Sequence, residues 1–372
     1  MLIINATAFL AGRFVPRTSI LVRNGKIEAI GEKIDASGDP TLDMGGDYLL
    51  PGMVDVHIHA FMGQDVMGGE EAIRHMSREL LKVGIGAFLP TTMSASAQDT
   101  LSALAGIKAV MEKPEPHGAK VLGAHMEAPF LNASRAGAQL QEFFAEPNLE
   151  NWAKFSGEYE DIVRLITLAP DLDGAMPLIR ELAKRGITVS LGHTDATADV
   201  TREAADNGAT HVTHTFNAQS PLLHRDPGVP GAALTDDRFF CEMICDGVHL
   251  HPDIVRLILR CKGAKGAVAV TDAMEAAGMP NGQYQLGGQA VFVEGSSARL
   301  KDGTLAGSTL TLAKAAQNMI AFGADPADAA TVVTETPALS IGNHDMGVIK
   351  EGAPAVFARF GQDWRFLETI TE

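Results

Sequence analysis

His57 and His59 close the segment Leu49-Leu50-Pro51-Gly52-Met53-Val54-Asp55-Val56-His57-Ile58-His59. An extended strand turns every second side chain to the same face, so an H-x-H pair presents both imidazoles together, spaced to grip one metal ion. Among twelve histidines such a pair can arise by chance, and its company decides its meaning. Four further segments share one pattern: Val121-Leu122-Gly123-Ala124-His125-Met126-Glu127, Ile187-Thr188-Val189-Ser190-Leu191-Gly192-His193, His211-Val212-Thr213-His214-Thr215-Phe216-Asn217-Ala218, and Ala267-Val268-Ala269-Val270-Thr271-Asp272. In each, an apolar run with strand character ends in acid, imidazole or amide groups. Such groups are costly to bury unless they are paired or bound to metal.

Helical stretches lie between these runs, as from Asp173 to Arg185, where Met176, Ile179, Leu182 and Ala183 recur at helical spacing before Gly186. Alternating strands and helices imply a parallel sheet, which buries both faces and gathers functional residues at its C-terminal ends. Five ends of ligand type predict a TIM-type (β/α)8 barrel. A doubly wound open sheet is the alternative, but it offers one crevice at a switch point and not a ring of loops.

A plain barrel takes roughly 250 residues, so a chain of 372 has a surplus. It sits at the ends. Leu2 to Ala6, Ser19 to Val22 and Lys26 to Ile30 read as short strands with Gly25 and Gly31 as turn residues, and the same style returns after Pro337. The expected division is a small β-sandwich domain from residues 1–50 and 340–372 beside a hydrolase barrel at 51–339.

The net charge of −16 and a pI near 5.2 argue against nucleic acid and anionic membranes as partners. No apolar run reaches the roughly 20 residues of a membrane span, and the first residues lack a signal peptide's pattern. A cytoplasmic enzyme is expected. Cys241, Cys245 and Cys261 are odd in number and lie in apolar surroundings, which predicts reduced core thiols. Residues 112–118 read as a surface turn.

H-x-H after Pro-Gly, His-Met-Glu-Ala-Pro-Phe-Leu-Asn at 125–132, Gly-His-Thr at 192–194, Thr-His-Thr-Phe-Asn-Ala at 213–218, Arg-Asp-Pro-Gly at 225–228, Asp-Gly-Val-His at 246–249 and Val-Thr-Asp-Ala at 270–273 follow one another in this order. With Leu305-Ala306-Gly307-Ser308, nearly the whole chain resembles the N-acetylglucosamine-6-phosphate deacetylases of the amidohydrolase superfamily. The resemblance implies a TIM-type barrel with a β-sandwich built from both termini, and the removal of acetate from a phosphorylated amino sugar.

Carried over position by position, it implies Glu127, His193 and His214 as core metal ligands, an N/N/O set with a position open to water. His57 and His59 would hold a second ion, with Glu127 bridging the two. The cofactor is then one or two divalent ions per subunit, zinc foremost, with iron, manganese or cobalt also suited to such donors. Asp272 matches the acid–base residue that takes a proton from water and passes it to the leaving amine; its structural alternative is a helix N-cap. Asp195 reads as a cap or turn residue and His251 as structural.

Arg225 matches the phosphate-binding arginine, contributed in the family across a dimer interface, so a homodimer is expected. Asn217, Ala218 and His249 match substrate contacts. One departure stands out: Gln139 occupies the position of a histidine that contacts the acetamido region, and an amide can donate a hydrogen bond but cannot become charged. Ala128 where glycine is usual, and the lack of an aspartate after Ala355, are smaller departures. Alternatives are a related hydrolase of another N-acetyl hexosamine or of an N-acyl amino acid, and a non-catalytic scaffold, which has no reason to keep a full ligand set.

Overall fold

In the computed structural model, which describes residues 1–35 and 38–372, eight parallel strands pair in chain order: Met53–Ile58, Ile85–Thr92, Ala124–Glu127, Val163–Leu168, Thr188–Leu191, His211–Val212, Phe240–Met243 and Ala267–Ala269. The ring closes between the eighth and the first. There the Asp272 N–H donates to His57 O at 2.8 Å and the His59 N–H to Ala273 O at 3.1 Å. Every residue of Ile85–Thr92 is buried, as a strand covered on both faces requires. Full burial of one such side chain, Phe88, contributes roughly 1.5–3 kcal/mol.

Helices cover the barrel, several with one apolar face, whereas Gly228–Thr235 is buried on nearly all sides. Glu70–Lys82 buries Ala72, Ile73, Met76, Leu80 and Leu81, the three-and-four spacing of an amphipathic helix. Thr197 caps Ala198–Asp206 by accepting the Val200 N–H, worth about 1 kcal/mol. The helix expected from Asp173 to Arg185 spans Ala175–Lys184, because Gly174 takes φ 88° and makes the turn into it.

Both termini build a separate small β domain, whose strands pair as one continuous sheet where two packed sheets were expected. Its single sheet runs Phe366–Thr371, Val356–Phe360, Tyr48–Pro51, Leu2–Leu10, Arg13–Arg23, Lys26–Gly31, with Thr41–Asp43 also beside Leu2–Leu10. Ile3, Ile20, Met44, Leu49, Phe357 and Ile370 belong to its own core. Tyr48–Pro51 leads into the first barrel strand through Gly52, where a Cβ would sit 2.8 Å from the Gly86 Cα. The small domain is thus joined by one residue to the strand that carries His57.

A three-stranded antiparallel sheet, Gly282–Leu286, Gln289–Glu294 and Ser297–Arg299, follows the eighth strand. Leu286, Val291, Val293 and Ala298 pack with Met93 and Met274, setting this sheet against the mouth of the barrel. Among the described residues no helix is long and apolar enough to cross a membrane. Cys241 and Cys245 are buried as expected, but Cys261 is exposed on the helix Pro252–Gly266; its apolar sequence neighbours face the barrel while it faces outward.

Candidate active site

The C-terminal ends of strands one, three, five, six and eight bring His57, His59, Glu127, His193, His214 and Asp272 together. Gly192 shows how tightly they are set: a Cβ there would lie 2.8 Å from both Thr167 Cγ2 and Thr213 Cβ. Immediately beyond it His193 has φ 47°, and His214 and Asp272 take φ 29° and 49°. Left-handed backbone at a residue other than glycine costs on the order of 1–3 kcal/mol and persists where the surroundings dictate it. At Asp272 they do, since its N–H binds His57 O and its carbonyl accepts the Ser308 N–H, both at 2.8 Å. No helix starts at Asp272, so the N-cap alternative does not apply.

All four imidazoles direct Nε2 at Glu127. Its Oε1 lies 3.2 Å from His193 and from His214 and 3.6 Å from His57, while Oε2 lies 3.2 Å from His59. The Nε2 atoms are 3.1 Å apart in the His193–His214 pair and 3.3 Å apart in the His57–His59 pair. Each Nδ1 is engaged on the outer side: His57 with Glu242 Oε2 at 3.0 Å, His59 with Thr91 O at 3.2 Å, His193 with Arg135 O at 2.9 Å, and His214 with Asn217 O at 3.1 Å. A carbonyl or carboxylate partner fixes the proton on Nδ1 and leaves a lone pair on Nε2. Lone pairs crowded at these distances around a carboxylate repel one another unless cations lie among them. Two groups, His57–His59–Glu127 and Glu127–His193–His214, could therefore each hold a metal ion while sharing Glu127.

The electrostatics agree. Burial disfavours charge on His57, yet Glu242, Glu127 and Asp272 hold its ring well above the usual histidine range. Burial likewise opposes charge on His59, but Asp272 and Glu127 outweigh it and raise the ring to about 9. Glu127 is held well below the carboxylate range against burial by His57, His193 and His214. Asp272, also opposed by burial, is drawn down to about 2 by His57 and His59; its Oδ1 is 3.2 Å from His59 Nε2 and 3.5 Å from His57 Nε2. The ligand atoms thus form a field that demands positive charge. His125 and His211 differ: burial pushes both down, and they bind Thr167 Oγ1 at 2.8 Å and Ser190 Oγ at 3.2 Å beneath the cluster.

Above the cluster opens a cavity of about 320 Å³, bounded by Arg135, Gln139, Asn217, Ala218, His249, Leu286 and Gly307. This is the size of a small-ligand site. Gln139 is pinned at both ends: its Oε1 accepts the Ser94 N–H at 2.8 Å and its Nε2 donates to Glu127 Oε2 at 2.6 Å. The amide therefore orients the shared carboxylate from the cavity wall. His249 is fixed by Asp246 at 2.7 Å.

Arg225 does not join this cavity. It is exposed on the loop following Pro221 and lines a separate surface groove with Asp195 and Arg202. Asp195 is neither cap nor turn donor; it forms an ion pair with Arg135 at 2.6 Å, and Thr197 takes the cap. His251 caps the helix Pro252–Gly266, accepting the Asp253 N–H at 3.2 Å.

Sequence reasoning missed Glu242 and Arg135. A charged residue inside the apolar run Phe240-Cys241-Glu242-Met243 was the available signal for the first. Arg135 contributes through its backbone carbonyl, which no side-chain pattern reports. The sheet that supplies Leu286 was signalled by Gly287-Gly288 between alternating apolar residues.

Residues 48–369 match the amidohydrolase family model. The N-acetylglucosamine-6-phosphate deacetylase of Lysinibacillus sphaericus is 38% identical over 325 residues, covering 86% of this chain and 82% of that one. The N-acetylgalactosamine-6-phosphate deacetylase of Escherichia coli O157:H7 is 36% identical over 90% of this chain and 88% of its own length. Among solved structures, the N-acetylglucosamine-6-phosphate deacetylase of Pasteurella multocida superposes with a TM-score of 0.93 at 28% identity, over 100% of this chain and 97% of that one.

Proposed function

This chain belongs to the amidohydrolase family, and from that premise we propose that it hydrolyses the acetamido group of N-acetyl-D-glucosamine 6-phosphate, releasing acetate and glucosamine 6-phosphate. The observation that carries the reading is the convergence of four imidazole Nε2 atoms on the buried Glu127 carboxylate, within 3.2–3.6 Å, at the floor of a small-molecule cavity. Divalent ions, with zinc best suited to this donor set, would supply a lowered pKa for water and a polarised amide carbonyl. Two such ions fit the two groups that share Glu127.

The chain's own residues do the rest. Gln139 and the two histidine pairs orient Glu127. Asp272, ionised and facing the cavity floor, takes the proton of the attacking water and delivers it to the departing amine nitrogen. Asn217, Ala218 and His249 line the wall that receives the sugar phosphate. Arg225, exposed on its loop, serves the phosphate of a neighbouring subunit's substrate in a homodimer.

The test is acetate release from a panel of N-acetylhexosamines by zinc-reconstituted protein. The 6-phosphate of N-acetylglucosamine is expected to give the highest kcat/KM, and the unphosphorylated sugar a much higher KM. The galacto epimer is the discriminating competitor, because a relative of 36% identity is named for it and Gln139 departs from the usual histidine. Equal turnover of phosphorylated and plain sugars would overturn the assignment.

A further inference from the structure

The four histidines of the cluster are not held alike. His59, His193 and His214 give their Nδ1 protons to backbone carbonyls, those of Thr91, Arg135 and Asn217. At Nδ1 only His57 of the four faces a carboxylate, Glu242 Oε2, at 3.0 Å. Glu242 is fully buried, and no lysine or arginine pairs with it among the described residues. Among the described residues its Oε1 has no hydrogen-bond partner, and His211 stands 3.6 Å away at Nδ1. A buried carboxylate without a counter-cation is costly, and the ring nearest to Glu242 that can bring it positive charge is His57. The same Oε2 accepts the His214 N–H at 2.8 Å, a backbone bond that a neutral amide oxygen at this position can also make.

We propose that Glu242 is a positioning residue which fixes His57 with its proton on Nδ1, and thereby sets the occupancy of the His57–His59–Glu127 group separately from that of Glu127–His193–His214. A carboxylate behind a ligating imidazole makes it a stronger donor than a carbonyl does, and loss of such a partner typically weakens metal binding about 10–100-fold. The three carbonyl-backed histidines have no such reinforcement. Glu242 thus distinguishes two otherwise similar N/N/O sites. This inference rests on the metal reading of the previous subsection.

The variant is Glu242→Gln, which keeps an acceptor oxygen for His57 and the His214 N–H while removing the charge. Zinc is added to ion-free protein and followed by calorimetry and by elemental analysis after gel filtration. The unaltered protein is expected to take up two zinc ions. The variant is expected to keep one at unchanged affinity and to bind the other about 10–100-fold more weakly. Two ions bound as tightly as before, or both weakened alike, would overturn the role of Glu242 alone. An unaltered protein that takes up no zinc would instead overturn the metal reading itself. If the variant does not fold, the unaltered zinc protein still decides the question: the Nδ1 proton of His57 should resonate clearly downfield of those of His59, His193 and His214, and four equivalent shifts would refute a distinct partner for His57.

Discussion

Replacing Asp272 by asparagine separates chemistry from architecture. The backbone of Asp272 carries its structural role, through bonds to His57 O and from the Ser308 N–H at 2.8 Å each, and asparagine retains both. The side chain sits at the cavity floor with Oδ1 3.2 Å from His59 Nε2. Asparagine is nearly isosteric but cannot take a proton at neutral pH. Positioned acid–base groups contribute about 10²–10⁴-fold each. With Asp272 proposed to serve both the water and the leaving nitrogen, the slower step should govern and kcat should fall by at least about 10²–10⁴, or roughly 2.7–5.4 kcal/mol of barrier. KM should change little, since Asn217, Ala218 and His249 remain on the wall. Steady-state acetate release with parallel metal analysis is the assay. A rate within tenfold of the unaltered protein, with metal content intact, would refute Asp272 as the proton carrier.

Arg225→Ala should raise KM for the 6-phosphate and spare the plain sugar; mixed with Asp272→Asn after subunit exchange it should regain activity, and no gain over the separate variants would exclude a shared site. In ion-free protein, burial opposes charge on His59 while Asp272 and Glu127 raise it from 6.5 to about 9, so the stability it contributes is complete below pH 6.5 and lost as pH rises through 9. The Tm gap between zinc-loaded and ion-free protein should therefore widen across that window, and a constant gap would contradict the assignment. Burial pushes the Cys241 thiol up to about 12 and raises Cys245 as well, whereas Cys261 is exposed. A thiol reagent should titrate one cysteine in native protein and three in denaturant; more than one native thiol would show that the barrel interior opens.

What could be read from the chain alone followed the physics of strand ends. His57, Glu127, His193 and Asp272 each end an apolar run whose burial makes a polar terminus conspicuous, so strand order and cluster membership were legible together. Glu242 was not, because it lies inside its strand and acquires meaning only by facing His57, 185 residues away. Arg135 acts through a carbonyl, and the partners of Asp195 and Gln139 depend on loops folding back over the barrel mouth. The three-stranded insertion carried only the local signal of Gly287-Gly288: its alternation is short, and its apolar face is completed by Met93 and Met274 from elsewhere. Cys261 shows the limit of local hydrophobicity, which cannot tell the two faces of one helix apart.

The most direct test of the metal-dependent deacetylase reading is acetate release from N-acetyl-D-glucosamine 6-phosphate as zinc is added stepwise to ion-free protein. The account predicts no turnover without zinc and a rise that levels off at two equivalents per chain, matching the two groups that share Glu127. Full turnover in protein shown to hold no metal would contradict it.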